Sequence, residues 1–558
     1  MNKIIAVFSA VFCGLVMQVS AQKLALERTY EITGKSKRGY LDEVIYDDAS
    51  KTTQLSFVTR ETTNLTGSKS KVKYQQYFFD KDFNFLKMDE KIDVYQNKRY
   101  RGDTYTVDGV SVENNMVGTF VLRKKQIIYT WDWFFGGYRK KIKLLDKVKP
   151  KDDAGNKYTL LRKFENDETG DVIALVRAKG KNTNPNEYVF LRIDNNLVFD
   201  ITDKATFDDP QVIAGAMLIP SISQEDEDDS GLDEEEPGDD APDGADDQGD
   251  LSTSDAGFVF APGAKGKKGN ADAHDYTFWR VNAAGKIIEK VAIKTAASVW
   301  NINQMVTTGK SIYIMGPANE GKFYDQVIGA PVLGMAPDLE NMKWKLFQLC
   351  RVTGGASEYV TVTDLDEFES KLQAPPSQKK TPSYKGKRFH FTAADAYHDG
   401  SILICGQNYE WVTKSKVRRK SYRDVVMFYF DNGGKLKGQY GVRREENNKY
   451  AKLVPAGQKI NTGKSAVYWT IFEMDGIREE REGKYRVTKA LIYPSVARID
   501  AATGAIGDFV QFGIVNEKPK YYLHNRMPIL PMSEENAIVY LGVDKPGCTL
   551  WFGKVILE

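Results

Sequence analysis

Histidine and cysteine are scarce in this chain, four of each in 558 residues. His274, His390, His398 and His524 make no HExxH motif and no Cys/His cluster, so the sequence carries none of the usual zinc signatures. Cys13 sits in an N-terminal leader. The other three, Cys350, Cys405 and Cys548, are odd in number and scattered, which is no disulfide framework, although one bridge stays open. Cys350 and Cys405 fall in predicted strands, where a cysteine serves as a small buried hydrophobe. There is no GxSxG nucleophile turn. Two TGKS stretches, 308–311 and 462–465, lack the earlier glycine of a phosphate loop; Gln304 and Gln458 stand there, and both stretches read as hairpin turns. After the leader no run of 18 apolar residues occurs, so no transmembrane segment is predicted.

What the chain has in abundance is short β-forming segments behind polar turns. SKTTQLSFVTR (50–60), KKQIIYTWDW (124–133), TGDVIALVRA (169–178), AGFVFAPG (256–263), GKSIYIMG (309–316), DGSILICGQ (399–407), GKSAVYWTIF (463–472) and ENAIVYLGV (535–543) share this form. Most are followed by a second hairpin centred on Asp, Asn or Gly, such as YVFLRIDNNLVF (188–199) or VMFYFDNGGKLKG (426–438). Eight copies after residue 21 give roughly 67 residues per unit, the size of a four-stranded propeller blade with long loops. A pair of antiparallel sandwich domains would use similar hairpins, but one order recurring from end to end favours a β-propeller. Eight blades are predicted; the short step from the second unit to the third leaves seven open. The last unit ends LWFGKVILE (550–558) one strand short, and LALERTYEI (24–32) is predicted to close the ring.

The first 21 residues, with Lys3, an apolar run and Val19-Ser20-Ala21 before Gln22, read as a secretory signal peptide. The organisation expected is therefore signal peptide 1–21 and a single propeller over 22–558, with an insert at 225–250. That insert holds 15 acidic and no basic residues, and is predicted to be a disordered loop. Its carboxylates, including Asp239, Asp240, Asp243, Asp246 and Asp247, lack the alternation of a formed calcium site, so no metal site is assigned. Without leader and insert, 77 basic residues face 61 acidic ones, a net +16 under a whole-chain charge of +2.

Much of this charge is predicted on connections between second and third strands, which share one face of a propeller. The basic candidates there are Lys179 and Lys181, then Lys265, Lys267 and Lys268, then Lys414, Lys416, Arg418, Arg419, Lys420 and Arg423. Ordinary solvated loop charge would produce the same pattern. An anionic partner would use it as a contact face. Elsewhere TDLDEFESKL (363–372) is predicted as a short helix capped by Thr363 or Asp364, 374–388 as an exposed linker, 475–486 as a mixed-charge loop, and the aromatic run of 129–145 as sheet core.

Two resemblances follow. The leader resembles those of Bacteroidota envelope proteins. ARIDAATGAI (497–506) resembles a repeat of the quinoprotein-dehydrogenase-like propellers, where an Asp-Ala-Ala-Thr-Gly turn precedes a docking tryptophan; here Phe509 stands near that place. It occurs once and no paired-cysteine element accompanies it, so it implies a propeller and gives no support for a quinone; no cofactor is expected. The reading is a non-enzymatic scaffold or adaptor, exported to the periplasm or outer membrane, that binds another envelope protein. The Bacteroidota resemblance extends this to an accessory role in an outer-membrane secretion or assembly complex. The alternatives are a module binding an anionic glycan or lipopolysaccharide through its basic face, and a hydrolase or lactonase with a site at the channel mouth. Nucleic acid is not expected as a partner of an exported chain with no binding motif.

Overall fold

The computed structural model describes residues 23–63, 69–96, 104–115, 118–132, 137–166, 169–180, 183–209, 211–219, 254–262, 274–308, 310–321, 342–414, 417–444, 451–482, 485–530 and 536–558. These residues form eight antiparallel sheets of three to five strands and one two-stranded ribbon, Ile514–Val515 with Lys518–Pro519. The architecture is an all-β propeller. Sheet one shows the plan: Tyr40–Asp47, Thr52–Thr63, Lys69–Phe79 and Phe85–Gln96 lie side by side in chain order. Sheet two has three strands, Thr104–Asn114, Phe120–Asp132 and Gly137–Val148. In sheet five the first strand is broken into Val299–Trp300 and Gln304–Thr308, both paired with Ser311–Asn319. The eight recurring sequence segments are the second strands of the eight sheets, one apiece. Apolar residues of these strands alternate between the two neighbouring sheets. Phe258, for example, packs toward sheet three, whereas Val259 packs toward sheet five.

Closure comes from the N-terminus, as predicted. Leu26–Glu31 pairs antiparallel with Thr549–Ile556 in register Leu26 to Lys554, which completes sheet eight as its outermost strand. Trp551 Nε1 donates to Glu27 Oε1 (2.7 Å), fixing that register with a side chain as well as the ladder.

Seven hydrophobic clusters join neighbouring sheets: two with three, three with four, and so on to seven with eight, and eight with one. Sheets one and two share no such cluster among the described residues. On the side of sheet one away from sheet eight, Gln54 and Gln76 donate their amides to Ser56 Oγ (3.0 and 3.3 Å).

The turn between third and fourth strands has a physical recipe. An Asp or Asn accepts from backbone amides two and four positions on: Asp80, Asp194, Asn282 and Asp431 all do so at 2.8–3.1 Å. Gly285, Gly434 and Gly504 then adopt φ of +74, +76 and +72°. Each turns its carbonyl toward the preceding sheet. Thr202 Oγ1 donates to Gly285 O (2.7 Å), Thr361 Oγ1 to Gly434 O (2.7 Å) and Tyr440 OH to Gly504 O (2.8 Å). Buried glutamines hold the segments that lead into the sheets. Gln348 Oε1 accepts from the amides of Ala296 and Ala297, Gln439 Oε1 from Tyr384 N, and Gln407 Oε1 from Ala456 N.

Several sequence expectations are corrected. Residues 374–388 are not an exposed linker: Tyr384 is buried among Phe347, Phe368 and Phe428. The aromatic side chains of 129–145 lie outside the described residues; beyond them Ile142 and Leu144 are more than half exposed on the outer strand of sheet two. The stretches 414–423 and 475–486 are largely strand, because their hairpins continue well past the sheet, and the described parts of 60–74 are strands of sheet one. Other expectations stand. Leu365–Ser370 is a helix with Asp364 at its N-cap, accepting from Glu367 N (2.7 Å). Cys350 and Cys405 are unpaired and fully buried, and burial pushes the Cys350 thiol up to about 12. The Asp500 turn of 497–506 accepts from Thr503 N (2.8 Å), and Phe509 packs edge-on against Trp469. The leader 1–21 and the insert 225–250 lie outside the described residues. The insert belongs to the connection between first and second strands of sheet four, Gln211–Ile219 and Asp255–Pro262. No described helix is long and apolar enough to cross a membrane.

Candidate binding surface on the sixth sheet

Sheet six consists of Phe389–Ala396, Ile402–Lys414, Val417–Phe430 and Leu436–Val442, with Leu372–Gln373 added in parallel at its outer edge. The two central strands are nearly twice as long as their flanks. Tyr409 N still reaches Arg388 O (3.0 Å) and Tyr422 N reaches Lys452 O (3.0 Å). Beyond these bonds the hairpin projects by itself for five residues of its first strand, about 15 Å. Sheet seven has a longer counterpart, Glu473–Glu482 paired with Tyr485–Tyr493.

A two-stranded ribbon alone in water is marginal. The sheet-six arm is held by its side chains. Cross-strand register sets Tyr409 opposite Tyr422, Trp411 opposite Lys420 and Thr413 opposite Arg418, and these six residues share one face. Tyr409 meets Trp411 and Tyr422 at 6.2 and 6.3 Å between ring centroids, and His390 meets Tyr422 at 5.4 Å. The guanidinium of Arg418 lies 4.4 Å from the Trp411 centroid; Lys420 Nζ lies 4.9 Å from Tyr409 and 5.5 Å from Trp411. Each cation–ring contact contributes about 0.5–1 kcal/mol at an exposed site. The opposite face carries Glu410, Val412 and Arg419 and has no ring.

At the base of the arm a groove of about 340 Å³ opens between sheets five and six. The arm contributes Tyr409 and Lys420 to its lining, sheet five contributes Asn301, Asn303 and Gln304 at the kink in its first strand, and the entry to sheet six contributes Lys387, Arg388 and His390. The kink exists because Asn301 N and Asn303 N bond Pro317 O and Met315 O (2.9 and 3.0 Å) while the strand between them is interrupted. The side-chain amides of Asn301, Asn303 and Gln304 make no hydrogen bond to a described residue, and all three are half-buried. A second cleft of about 220 Å³ lies between sheets six and seven. Its buried Arg444 is tied down by Ala451 O (2.9 Å) and Glu473 (3.5 Å).

Of the basic residues singled out from the sequence, Arg418 and Lys420 belong to this surface. Arg419 points to the other face, and Arg423 is ion-paired with Glu410 (2.6 Å). Lys414 ends the second strand. Lys179 ends the second strand of sheet three, far along the chain of sheets, and does not join the arm. Lys181, Lys265, Lys267, Lys268 and Lys416 lie outside the described residues. The sequence reading missed Tyr409, Trp411 and Tyr422, and the three amides of the kink. The aromatics left a signal, an alternating Tyr-x-Trp run facing Lys-x-Tyr across a turn; the amides left none. Among the described residues no group of three His, Cys, Asp or Glu side chains is placed to hold a metal.

No protein-family model matches this chain, and no curated protein sequence matches it. Among solved structures it is similar to the WD40 domain of SCAP from fission yeast, at TM-score 0.24 and 7% identity over 95% of this chain and 98% of that one. It is also similar to a Synechocystis apocarotenoid oxygenase, at TM-score 0.27 and 10% identity over 95% and 94%. A third is an exo-β-1,3-galactanase from Clostridium thermocellum, at TM-score 0.24 and 9% identity over 82% and 94%. At these scores none of them bears on the function of this chain.

Proposed function

We propose that this protein is an exported, non-enzymatic scaffold of the cell envelope, and that the sheet-six arm is the surface on which it holds an anionic envelope component. The observation that supports this is the one-faced stack of Tyr409, Trp411 and Tyr422 with Arg418 and Lys420, on a hairpin that outruns its sheet. A hairpin that only filled the fold would end with its neighbours. This one continues into solvent and keeps its rings and charges in register. Rigid rings with cations between them lose little conformational freedom on binding, which is why Trp, Tyr and Arg dominate contact surfaces. The basic excess of the chain outside 225–250 adds attraction at longer range.

The experiment is cosedimentation of the purified chain, residues 22–558, with isolated envelopes at low and physiological salt. Wild type should be retained at low salt and weakened as salt rises. Arg418→Glu with Lys420→Glu should abolish retention while leaving the melting temperature close to wild type. Retention that ignores both salt and the double charge reversal would remove the arm from the contact surface. A cell fractionation that finds the chain only in the cytoplasm would remove the envelope reading itself.

A further inference from the structure

The arm and the groove share Tyr409 and Lys420, so they are one continuous surface with three kinds of group. Tyr409, Trp411 and Tyr422 supply rings. Arg418 and Lys420 lie beside those rings, and Lys387 and Arg388 line the groove. Asn301, Asn303 and Gln304 line it with side-chain amides that bond no described residue. We infer that this surface binds an acidic oligosaccharide, a chain of sugar rings bearing carboxylates; the inference rests on the arm being the contact surface proposed above.

The argument is one of matching groups. A half-buried amide offers both a donor and an acceptor, and a sugar hydroxyl needs both. Three such amides at one kink suit a row of hydroxyls better than a row of phosphates, which would use donors only. The C–H face of a sugar ring packs on an aromatic side chain, whose apolar body and fixed shape accept it at small entropic cost. A carboxylate on the same ring meets Arg418, Lys420 or Lys387, and Arg guanidinium can take it with two parallel bonds. An extended peptide would instead add to a free strand edge. The edge beside the groove is broken at Asn301–Asn303, where the amides already bond Pro317 and Met315. Single-stranded nucleic acid also combines rings and cations, so oligothymidylate is one of the comparison probes. The groove volume, about 340 Å³, accommodates a sugar unit at the chain end while the arm carries the units that follow.

The test is calorimetric titration of residues 22–558 with oligogalacturonate. Three probes of similar length serve as comparisons: a neutral galacto-oligosaccharide, oligothymidylate and sodium polyphosphate. Oligogalacturonate should bind at least about tenfold tighter than the neutral chain, the worth of one or two charge-assisted hydrogen bonds. Trp411→Ala should weaken it about fivefold. Gln304→Ala should weaken oligogalacturonate and leave polyphosphate untouched, which a merely electrostatic surface would not show. Thermal melts establish that both variants are folded; if Gln304→Ala is not, Asn303→Ala replaces it and should likewise weaken oligogalacturonate and leave polyphosphate untouched. Tighter binding of oligothymidylate or polyphosphate than of oligogalacturonate would overturn the inference, as would equal binding of acidic and neutral chains. If envelope retention depends on Arg418 and Lys420 while oligogalacturonate does not bind, the glycan falls and the scaffold stands, with an acidic envelope protein as its partner. If retention ignores the arm, both fall.

Discussion

Replacing Gln348 by Met should destabilise the ring by about 1–3 kcal/mol. Gln348 sits on the third strand of sheet five, Leu346–Thr353, fully buried. Its Oε1 accepts from two successive backbone amides, Ala296 N at 3.0 Å and Ala297 N at 2.7 Å, in the segment that brings the chain from sheet four into sheet five. Met fills a similar volume and cannot accept, so the amide of buried Ala297 is stranded away from water, while exposed Ala296 can turn to solvent. A stranded donor costs about 1–3 kcal/mol. The Gln348 amide nitrogen has no partner itself, so its removal returns part of that cost. The assay is urea unfolding followed by tryptophan fluorescence, with amide hydrogen exchange read at residues 296 and 297. Exchange is the sharper readout, because a ring of many sheets need not unfold in one step. A midpoint shift worth less than about 0.5 kcal/mol, together with unchanged exchange at 296 and 297, would refute the claim that buried glutamines anchor the segments entering the sheets.

Other consequences are equally direct. Thr361→Val removes the hydroxyl that holds Gly434 O and should cost about 1 kcal/mol in the same assay. Gly434→Ala should cost more, because φ is +76° and the new Cβ would stand 2.4 Å from the Tyr359 ring. Deleting residues 23–32 bares the edge of Thr549–Ile556, and size-exclusion chromatography should show self-association; an unchanged monomer of unchanged stability would contradict the closure by Leu26–Glu31. Two groups should give opposite pH responses. Burial pushes Asp395 up to about 6, so its contribution is full in acid and is lost as pH rises through about 6. Burial, then the Lys489 and Arg526 charges, lowers His524 to about 3. Its contribution is full above the unfolded value of about 6.5 and is lost as pH falls. Between about pH 4 and 6 the two slopes offset. Asp395→Asn should therefore leave stability that rises with pH across this window, and His524→Gln stability that falls, both read from urea midpoints.

The fold was legible because each sheet repeats the same local chemistry. Second strands such as Val172–Lys179 and Asp255–Pro262 are apolar on both faces, since both faces meet a neighbouring sheet, and the Asp or Asn of the following turn is required by its backbone geometry. What the sequence hid were the arms. KSKVRRKSYR reads as a solvated loop because lysine and arginine occupy both faces of the hairpin, which erases the apolar–polar alternation that marks a strand. The same blindness turned 475–486 into a loop, although sixteen paired positions join its two strands. The linker 374–388 misled for the reverse reason. Its lysines and prolines look exposed, but Tyr384 among them finishes the core between sheets five and six.

The groove was out of reach of any sequence argument, and the reason bears on function. Its walls come from Asn301–Gln304, from Lys387–His390 and from Tyr409 with Lys420, and no local pattern links stretches so far apart in the chain. They meet because sheets five and six are neighbours and because the first strand of sheet five breaks where that of sheet six begins. That break leaves a strand edge unable to pair and three side-chain amides that bond no described residue, beside an arm whose rings lie on the near face together with Arg418 and Lys420. A propeller needs neither feature to close. The seven hydrophobic clusters and the Leu26–Glu31 strand hold the sheets together without either of them. Structure that exceeds what the ring requires, and that gathers donors, acceptors, rings and positive charge at one place, is where a ligand-binding role is to be sought in this molecule.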